Sequence, residues 1–263
     1  MKQVTVLKLG GSVITFKEKF FTPNEIAITR LADEIKRAHV ESIVVVHGGG
    51  SFGHPLAEEY EVAGGYKQSG QLMGFSKTHQ AMTSLNGLVI DALVRKDIPA
   101  FALQPSAFLV TRRGRVSEFD RTIINSMLEM HLVPVLYGDA VLDGEQGFAI
   151  LSGDQLVAVL AAHFTSVRVI ICVDVDGLYT DDPKLCSDAR LIGKVSYGKL
   201  KALLDQIGKS VTVDVTGGMY GKIAELMPAV EKGVEITIIN GSKSNRLYRT
   251  LIDQDIVGTK IGS

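Results

Sequence analysis

Residues 42–54 read SIVVVHGGGSFGH, and this stretch decides the fold. The run 42–46 is short, apolar and β-branched, as a strand buried on both faces of a parallel sheet should be. Three consecutive glycines follow. They cost conformational entropy and offer no side chain to pack, so the backbone there must approach something closely. A helix candidate opens near Ser51, and its first N–H groups would aim into the same space, which suits an anion. Strand, glycine loop and helix start together form the unit of an open α/β sheet that binds ligands beyond its strand ends.

The same unit recurs in both directions. Val4–Leu9 runs into Lys8-Leu9-Gly10-Gly11-Ser12, and residues 100–103, 133–136, 167–173 and 235–239 read as further buried strands. Helical patterns fill the intervals at 23–38, 70–95, 121–130, 154–163, 197–206, 217–231 and 245–251. This alternation predicts an open three-layer α/β/α sandwich with a mainly parallel central sheet and right-handed crossovers. Two stretches break it: 108–119 carries Arg113-Gly114 between apolar flanks, and 140–150 carries Asp143-Gly144. Both read as β-hairpins added to the rim. No repeat or linker divides the chain, so a single domain over 1–263 is expected. Its glycine loops fall into an N-terminal lobe (1–150) and a C-terminal lobe (151–263).

Composition narrows the function classes. A content of 46% hydrophobic and 22% charged residues fits a soluble globular chain. The formal net charge of −1 gives no electrostatic reason to expect nucleic acid or a membrane surface as partner. Cys172 and Cys186 form neither a CxxC pair nor a metal cluster, and the N-terminus lacks a secretory pattern, so a reduced, cytoplasmic protein is expected.

Five loops carry chemistry. In Lys8-Leu9-Gly10-Gly11-Ser12, glycines at a strand end admit backbone N–H groups to a phosphate and the lysine adds a charge; it is not a Walker A loop, and a tight turn beside a solvated lysine is the competing reading. In the glycine-rich loop quoted above, His54 would sit on the first helical turn as a phosphate donor, while His47 closes the strand end. Ser152-Gly153-Asp154 opens a helix, where Asp154 is either a first-turn acid or a holder of lysine ammonium groups. Residues 174–184, DVDGLYTDDPK, follow the strongest strand of the second half; the acid spacing is not that of an EF-hand. The last, Asp214-Val215-Thr216-Gly217-Gly218-Met219-Tyr220-Gly221-Lys222, is a second anion cradle with Lys222 one turn into its helix.

In this order and spacing, KLGGS, HGGGSFGH, SGD, DVDGLYTDDP and TGGMYGK resemble the amino-acid kinase superfamily across essentially the whole chain. HGGGSFGH, with Lys17 after KLGGSVITF, resembles the isopentenyl phosphate kinase branch in particular. The resemblance implies ATP-dependent phosphorylation of isopentenyl phosphate in isoprenoid biosynthesis, with Mg2+ held mainly by the nucleotide phosphates, and a homodimer. It implies that Lys8, Lys17 and Lys222 gather at the transferring phosphoryl group and that Asp154 orients lysines. Gly48, Gly49, Gly53, His54 and Gly153 would surround the acceptor phosphate. Lys8, Gly10, Gly11, Asp174, Tyr179, Asp182, Pro183, Gly218 and Lys222 would form the nucleotide site.

The chemistry of the residues agrees with such a reaction. A phosphate monoester is largely dianionic at neutral pH, so it needs charge neutralisation rather than a general base. Its hydrocarbon tail needs an apolar hole, for which Met73, Phe75, Met82 and Leu85 on the helix from Gly70, with Phe148 and Ile150, are the candidates. A carboxylate kinase would be expected to clamp its acceptor with Arg, and none stands near His54. A fosfomycin-type phosphonate kinase and a catalytically silent nucleotide sensor are the alternative readings.

Overall fold

The computed structural model describes residues 3–181, 183, 185–209 and 219–262. The first half runs through β1 (Val4–Leu9), one-turn α1 (Gly11–Ile14), α2 (Glu25–Ala38), β2 (Ile43–His47), α3 (Gly50–Glu59) and α4 (Gly70–Val94). Next come β3 (Ala100–Ala102), β4 (Leu109–Arg112), β5 (Arg115–Phe119), α5 (Thr122–Glu129), β6 (Val133–Tyr137), β7 (Asp139–Asp143) and β8 (Gly147–Leu151). The remainder is α6 (Gly153–His163), β9 (Val167–Val173), β10 (Lys194–Val195), α7 (Tyr197–Lys209), α8 (Met219–Glu231), β11 (Glu235–Asn240), α9 (Arg246–Leu251) and β12 (Gly258–Ile261).

Among the described residues, the central sheet has eight strands in the order β10-β12-β11-β9-β1-β2-β6-β3. Every neighbouring pair is parallel except β11–β12. β1 is buried along its whole length, because successive side chains go to opposite helical layers. Val4 and Val6, with Val44 and Val46 of β2, pack with Leu156 and Leu160 of α6 and Ile223 and Leu226 of α8. Leu7, Leu9 and Val45 pack with Leu31 of α2, Leu85 and Val89 of α4, and Leu247 of α9. This is the three-layer sandwich read from the sequence. No helix among the described residues is long and apolar enough to cross a membrane.

Both expected hairpins form. They join into one four-stranded sheet in the order β5-β4-β7-β8. Asp143 makes the junction. Its carboxylate accepts from Thr111 Oγ1 (2.8 Å) and from the backbone N–H of Gly114 (2.7 Å), Arg113 (3.1 Å), Glu145 (2.9 Å) and Gln146 (3.0 Å). Burial alone would raise its pKa, but the N–H groups of Gly114, Gln146 and Glu145 and the Thr111 hydroxyl hold it well below the usual carboxylate range. At the β4–β5 turn, Arg113 and Gly114 both take positive φ (51° and 70°), as a tight two-residue hairpin turn requires.

Candidate active site

A cleft of about 550 Å3 opens where β1, β2, β6 and β9 end. Gly10 N–H donates to Cys172 O, Gly48 N–H to Leu9 O and Gly138 N–H to His47 O, so the exiting loops continue the sheet for one more step. The loops after β1 and β2 then touch backbone to backbone. A Cβ on Gly11 would lie 2.3 Å from Gly50 N, and Gly50 itself adopts φ +50°. The close approach foreseen at the glycine run is therefore made in part to protein.

β1 alternation turns Lys8 toward α6. There its buried ammonium forms a charged hydrogen bond with Asp154 Oδ1, while Lys222 Nζ of α8 lies 3.8 Å from Asp154 Oδ2. Burial pulls the Lys8 pKa down to about 8; Asp154 opposes the shift and Lys222 adds to it. Ser152 caps α6, its Oγ accepting from Gln155 N–H at 3.1 Å, which fixes the turn that carries Asp154.

Lys17 arrives from another direction. Its loop is closed by the bridge between Thr15 and Pro23 and by Phe21 N–H donating to Ser51 O at 3.2 Å. Lys17 Nζ lies 3.6 Å from Asp174 Oδ2, and Ser12 Oγ donates to Asp174 Oδ1 at 3.0 Å. The end of β9 is thus tied to the loop after β1.

His54, expected on the first turn, is the fifth residue of α3 and opens its second turn, because the helix starts at Gly50; it lines the same cleft. Desolvation by the cleft walls lowers its pKa, with Lys222, Lys8 and Lys17 adding to the effect against Asp154. It is a neutral hydrogen-bond donor at pH 7. His47 is fully buried: Asn86 Nδ2 donates to its Nε2 (3.1 Å), its protonated Nδ1 faces Gly48 O (3.1 Å), and its ring stacks on Tyr137. Burial takes it to about 4, so it is a neutral strut at the strand end.

The cleft brings together Lys8, Gly10, Gly11, Lys17, Gly48, Gly49, Gly53, His54, Met82, Ile150, Gly153, Asp154, Asp174, Tyr179, Pro183 and Lys222. Asp182 and Gly218 lie outside the described residues, as does the segment 210–217. Four apolar candidates need correction. Met73 is 58% exposed and lies away from the cleft, because it is roughly two and a half turns from Met82 and so on the opposite face of α4. Phe75 and Phe148 stack on each other at 4.9 Å and, with Val62, form a small core behind the cleft-lining Ala57 and Ile150. Leu85, also among the apolar candidates, belongs to the main core.

Sequence reasoning missed Ser12, Thr78, Gly138, Asp139 and Met219, which also line the cleft. The Gly138-Asp139 pair directly after β6 carried the same signal as the other loops, a glycine at a strand end. Asp139 is buried and anchors α4 to β7 through His79 Nδ1 at 2.8 Å. That anchor sets the side of α4 on which Met82 meets Gly49 and Gly53, whose Cβ positions would fall 2.9 and 2.8 Å from Met82 Sδ.

This arrangement, with three lysines around two carboxylates and glycine loops at strand ends, suits polyphosphate chemistry. A family model described as the amino acid kinase family matches residues 3–240. The chain belongs to the amino acid kinase family. The chain is 43% identical to the isopentenyl phosphate kinase of Methanothermobacter thermautotrophicus, over 97% of its own length and 98% of that protein's. It is 33% identical to the isopentenyl phosphate kinase of Arabidopsis thaliana, over 86% and 74% of the two chains. A solved isopentenyl phosphate kinase superposes on it with a TM-score of 0.86 at 39% identity, covering 98% of this chain and 100% of the other.

Proposed function

We propose that this protein transfers the γ-phosphoryl group of ATP to isopentenyl phosphate, giving isopentenyl diphosphate. The observation that carries the reading is the cleft's two-sided character. Lysines and a neutral His54 converge on one region, Met82 and Ile150 form an apolar wall beside it, and no arginine lines it among the described residues. A phosphate with a short hydrocarbon tail matches both sides; a carboxylate acceptor would call for an arginine fork. The isopentenyl phosphate kinases that match nearly the whole chain support the same substrate.

In this reading the acceptor occupies the side built by residues 1–150 and the nucleotide the side built by 151–263. The acceptor oxygen is already anionic, so the protein's work is positioning and neutralisation. Lys8, Lys17 and Lys222 offset the repulsion between the two phosphates and stabilise charge on the transferring group. Asp154 holds Lys8 and Lys222 apart at fixed geometry. Gly49 and Gly153 offer backbone N–H groups, Gly48 and Gly53, whose own N–H groups bond Leu9 O and Gly49 O, leave room for close approach, and His54 donates to the acceptor phosphate. Gly10, Gly11, Asp174, Tyr179 and Pro183 face the nucleotide. In this reading magnesium is carried on the triphosphate, where it would neutralise phosphate charge. A homodimer and a cytoplasmic location belong to the same reading.

A coupled ADP-release assay with Mg-ATP tests the substrate, using isopentenyl phosphate, dimethylallyl phosphate, fosfomycin, UMP, acetylglutamate and aspartate. Turnover confined to the prenyl phosphates supports the reading; preferred turnover of fosfomycin or a carboxylate overturns it. His54→Ala is expected to raise KM for isopentenyl phosphate by roughly ten- to a hundredfold, the worth of a hydrogen bond to a charged group, with kcat little changed. A fall in kcat alone would remove His54 from acceptor recognition.

The pocket wall gives a paired prediction. Phe75→Ala removes the ring that backs Phe148 and Ile150, and is expected to admit longer prenyl phosphates. Met73→Ala, on the opposite face of α4, is expected to leave chain-length preference unchanged. Competition between C5 and C10 monophosphates reads both, and equal behaviour of the two variants would refute this placement of the tail.

A further inference from the structure

The tip of the β4–β5 hairpin grips both helices that carry the Asp154–Lys222 contact. On α6, Gln155 directly follows Asp154 and is buried. Its Oε1 accepts from Val116 N–H at 3.0 Å, and its Nε2 donates to Gly114 O at 3.0 Å. On α8, Glu225 stands one turn after Lys222 and receives both arms of the Arg115 guanidinium, at 2.6 and 2.8 Å. Residues 114–116 therefore hold α6 beside its active acid and α8 beside its active lysine. None of them lines the cleft.

The tip is built to act as a ruler. Its turn is tied to the second hairpin by the Asp143 carboxylate, so it does not float on two strands alone. Core packing of Ile223, Leu226 and Val230 seats the apolar side of α8. The Arg115–Glu225 fork fixes its polar side, one turn from Lys222, and two parallel N–H···O bonds restrict orientation as well as distance. The Arg115 side chain is 62% exposed, and an exposed pair of this kind contributes little to stability. Its geometry, unlike its energy, bears directly on where Lys222 Nζ lies relative to Asp154, 3.8 Å away.

We propose that Arg115 is a positioning residue for phosphoryl transfer, setting Lys222 against Asp154 through Glu225. The proposal rests on the kinase reading above and on the place of Lys222 in it. It acts on the transition state rather than on acceptor binding, because a displaced lysine loses its aim at the transferring group while the acceptor loop is untouched.

Steady-state kinetics and melting temperatures of the full chain test it, with Mg-ATP and isopentenyl phosphate. Arg115→Ala is expected to lower kcat by roughly three- to tenfold, an effect of sub-ångström misplacement, with KM for the acceptor within about twofold. The melting temperature should stay within about 2 °C of the wild type. Arg115→Lys, which keeps the charge but not the fork, should fall between. The exchanged pair Arg115→Glu with Glu225→Arg should recover kcat to within about twofold of the wild type. Asp253→Ala, which removes another exposed ion pair, that of Arg168 at 2.7 Å, should leave kcat unchanged.

Wild-type kcat in Arg115→Ala, an equal loss in Asp253→Ala, or no recovery in the exchanged pair would each overturn the proposal. If the wild type prefers another acceptor from the panel, the substrate reading fails, and the same variants test Arg115 with that acceptor.

Discussion

Asp154→Asn is expected to lower kcat by roughly a hundred- to a thousandfold, the scale seen when one preorganised charge-stabilising contact is lost. The carboxylate holds two ammonium groups at once: Lys8 by a charged hydrogen bond and Lys222 at 3.8 Å. Asparagine keeps the shape and one acceptor but not the charge. Lys8 is buried and already held down at about 8, with Asp154 the main influence opposing that shift. Without it the ammonium is less favoured still, and a larger share of Lys8 is neutral at pH 7.

This gives a pH signature. In the wild type, kcat/KM should fall as pH rises through about 8, where Lys8 in the free enzyme loses its proton. In Asp154→Asn this basic limb should move to lower pH. Stability goes the other way. Lys8 in the folded chain sits below its ordinary value of 10.5, so between about 8 and 10.5 the unfolded chain holds more protons and this group's contribution to stability rises with pH. A variant within threefold of wild-type kcat, with its basic limb unmoved, would show that Asp154 does not organise the lysines.

Lys17→Ala is expected to lower kcat by a similar factor, about a hundredfold or more, while KM for both substrates changes by less than about threefold. Lys17 differs from Lys8 in being 54% exposed on a loop, with Asp174 Oδ2 at 3.6 Å. Its loss should therefore leave the melting temperature unchanged, whereas loss of Asp154 should lower it by leaving Lys8 buried without its counter-charge. Single-turnover measurements at saturating substrates separate the chemical step from release. A change confined to KM would make Lys17 a binding residue only.

These two variants show how far the sequence reached. That Lys8 ends a buried strand, and that Gly10, Gly48 and Gly153 open loops at strand ends, follows from local pattern. Strand alternation even places Lys8 on the Val4–Val6 side. It does not say that α6 covers that side, or that Asp154 meets Lys8 across 146 residues of chain.

The helix α4 makes the same point. Met73, Phe75 and Met82 all looked suitable for an apolar hole, yet helical phase separates Met73 from Met82 by about half a turn beyond two full ones. The sequence contained that phase. Which phase faces the cleft was decided by Asp139 gripping His79 and by Met82 seating on Gly49 and Gly53. Hairpin signals at Arg113-Gly114 and Asp143-Gly144 were likewise local, but their fusion through Asp143 was not.

By itself, the sequence determined the periodicities, the turns and the chemical character of each loop, because these depend on neighbours a few residues apart. Only the tertiary structure decided which acid meets which lysine, which face of α4 lines the cleft, and that one hairpin tip touches both α6 and α8. Those outcomes depend on distances of a few ångströms between residues far apart in the chain, and packing of the layers sets them.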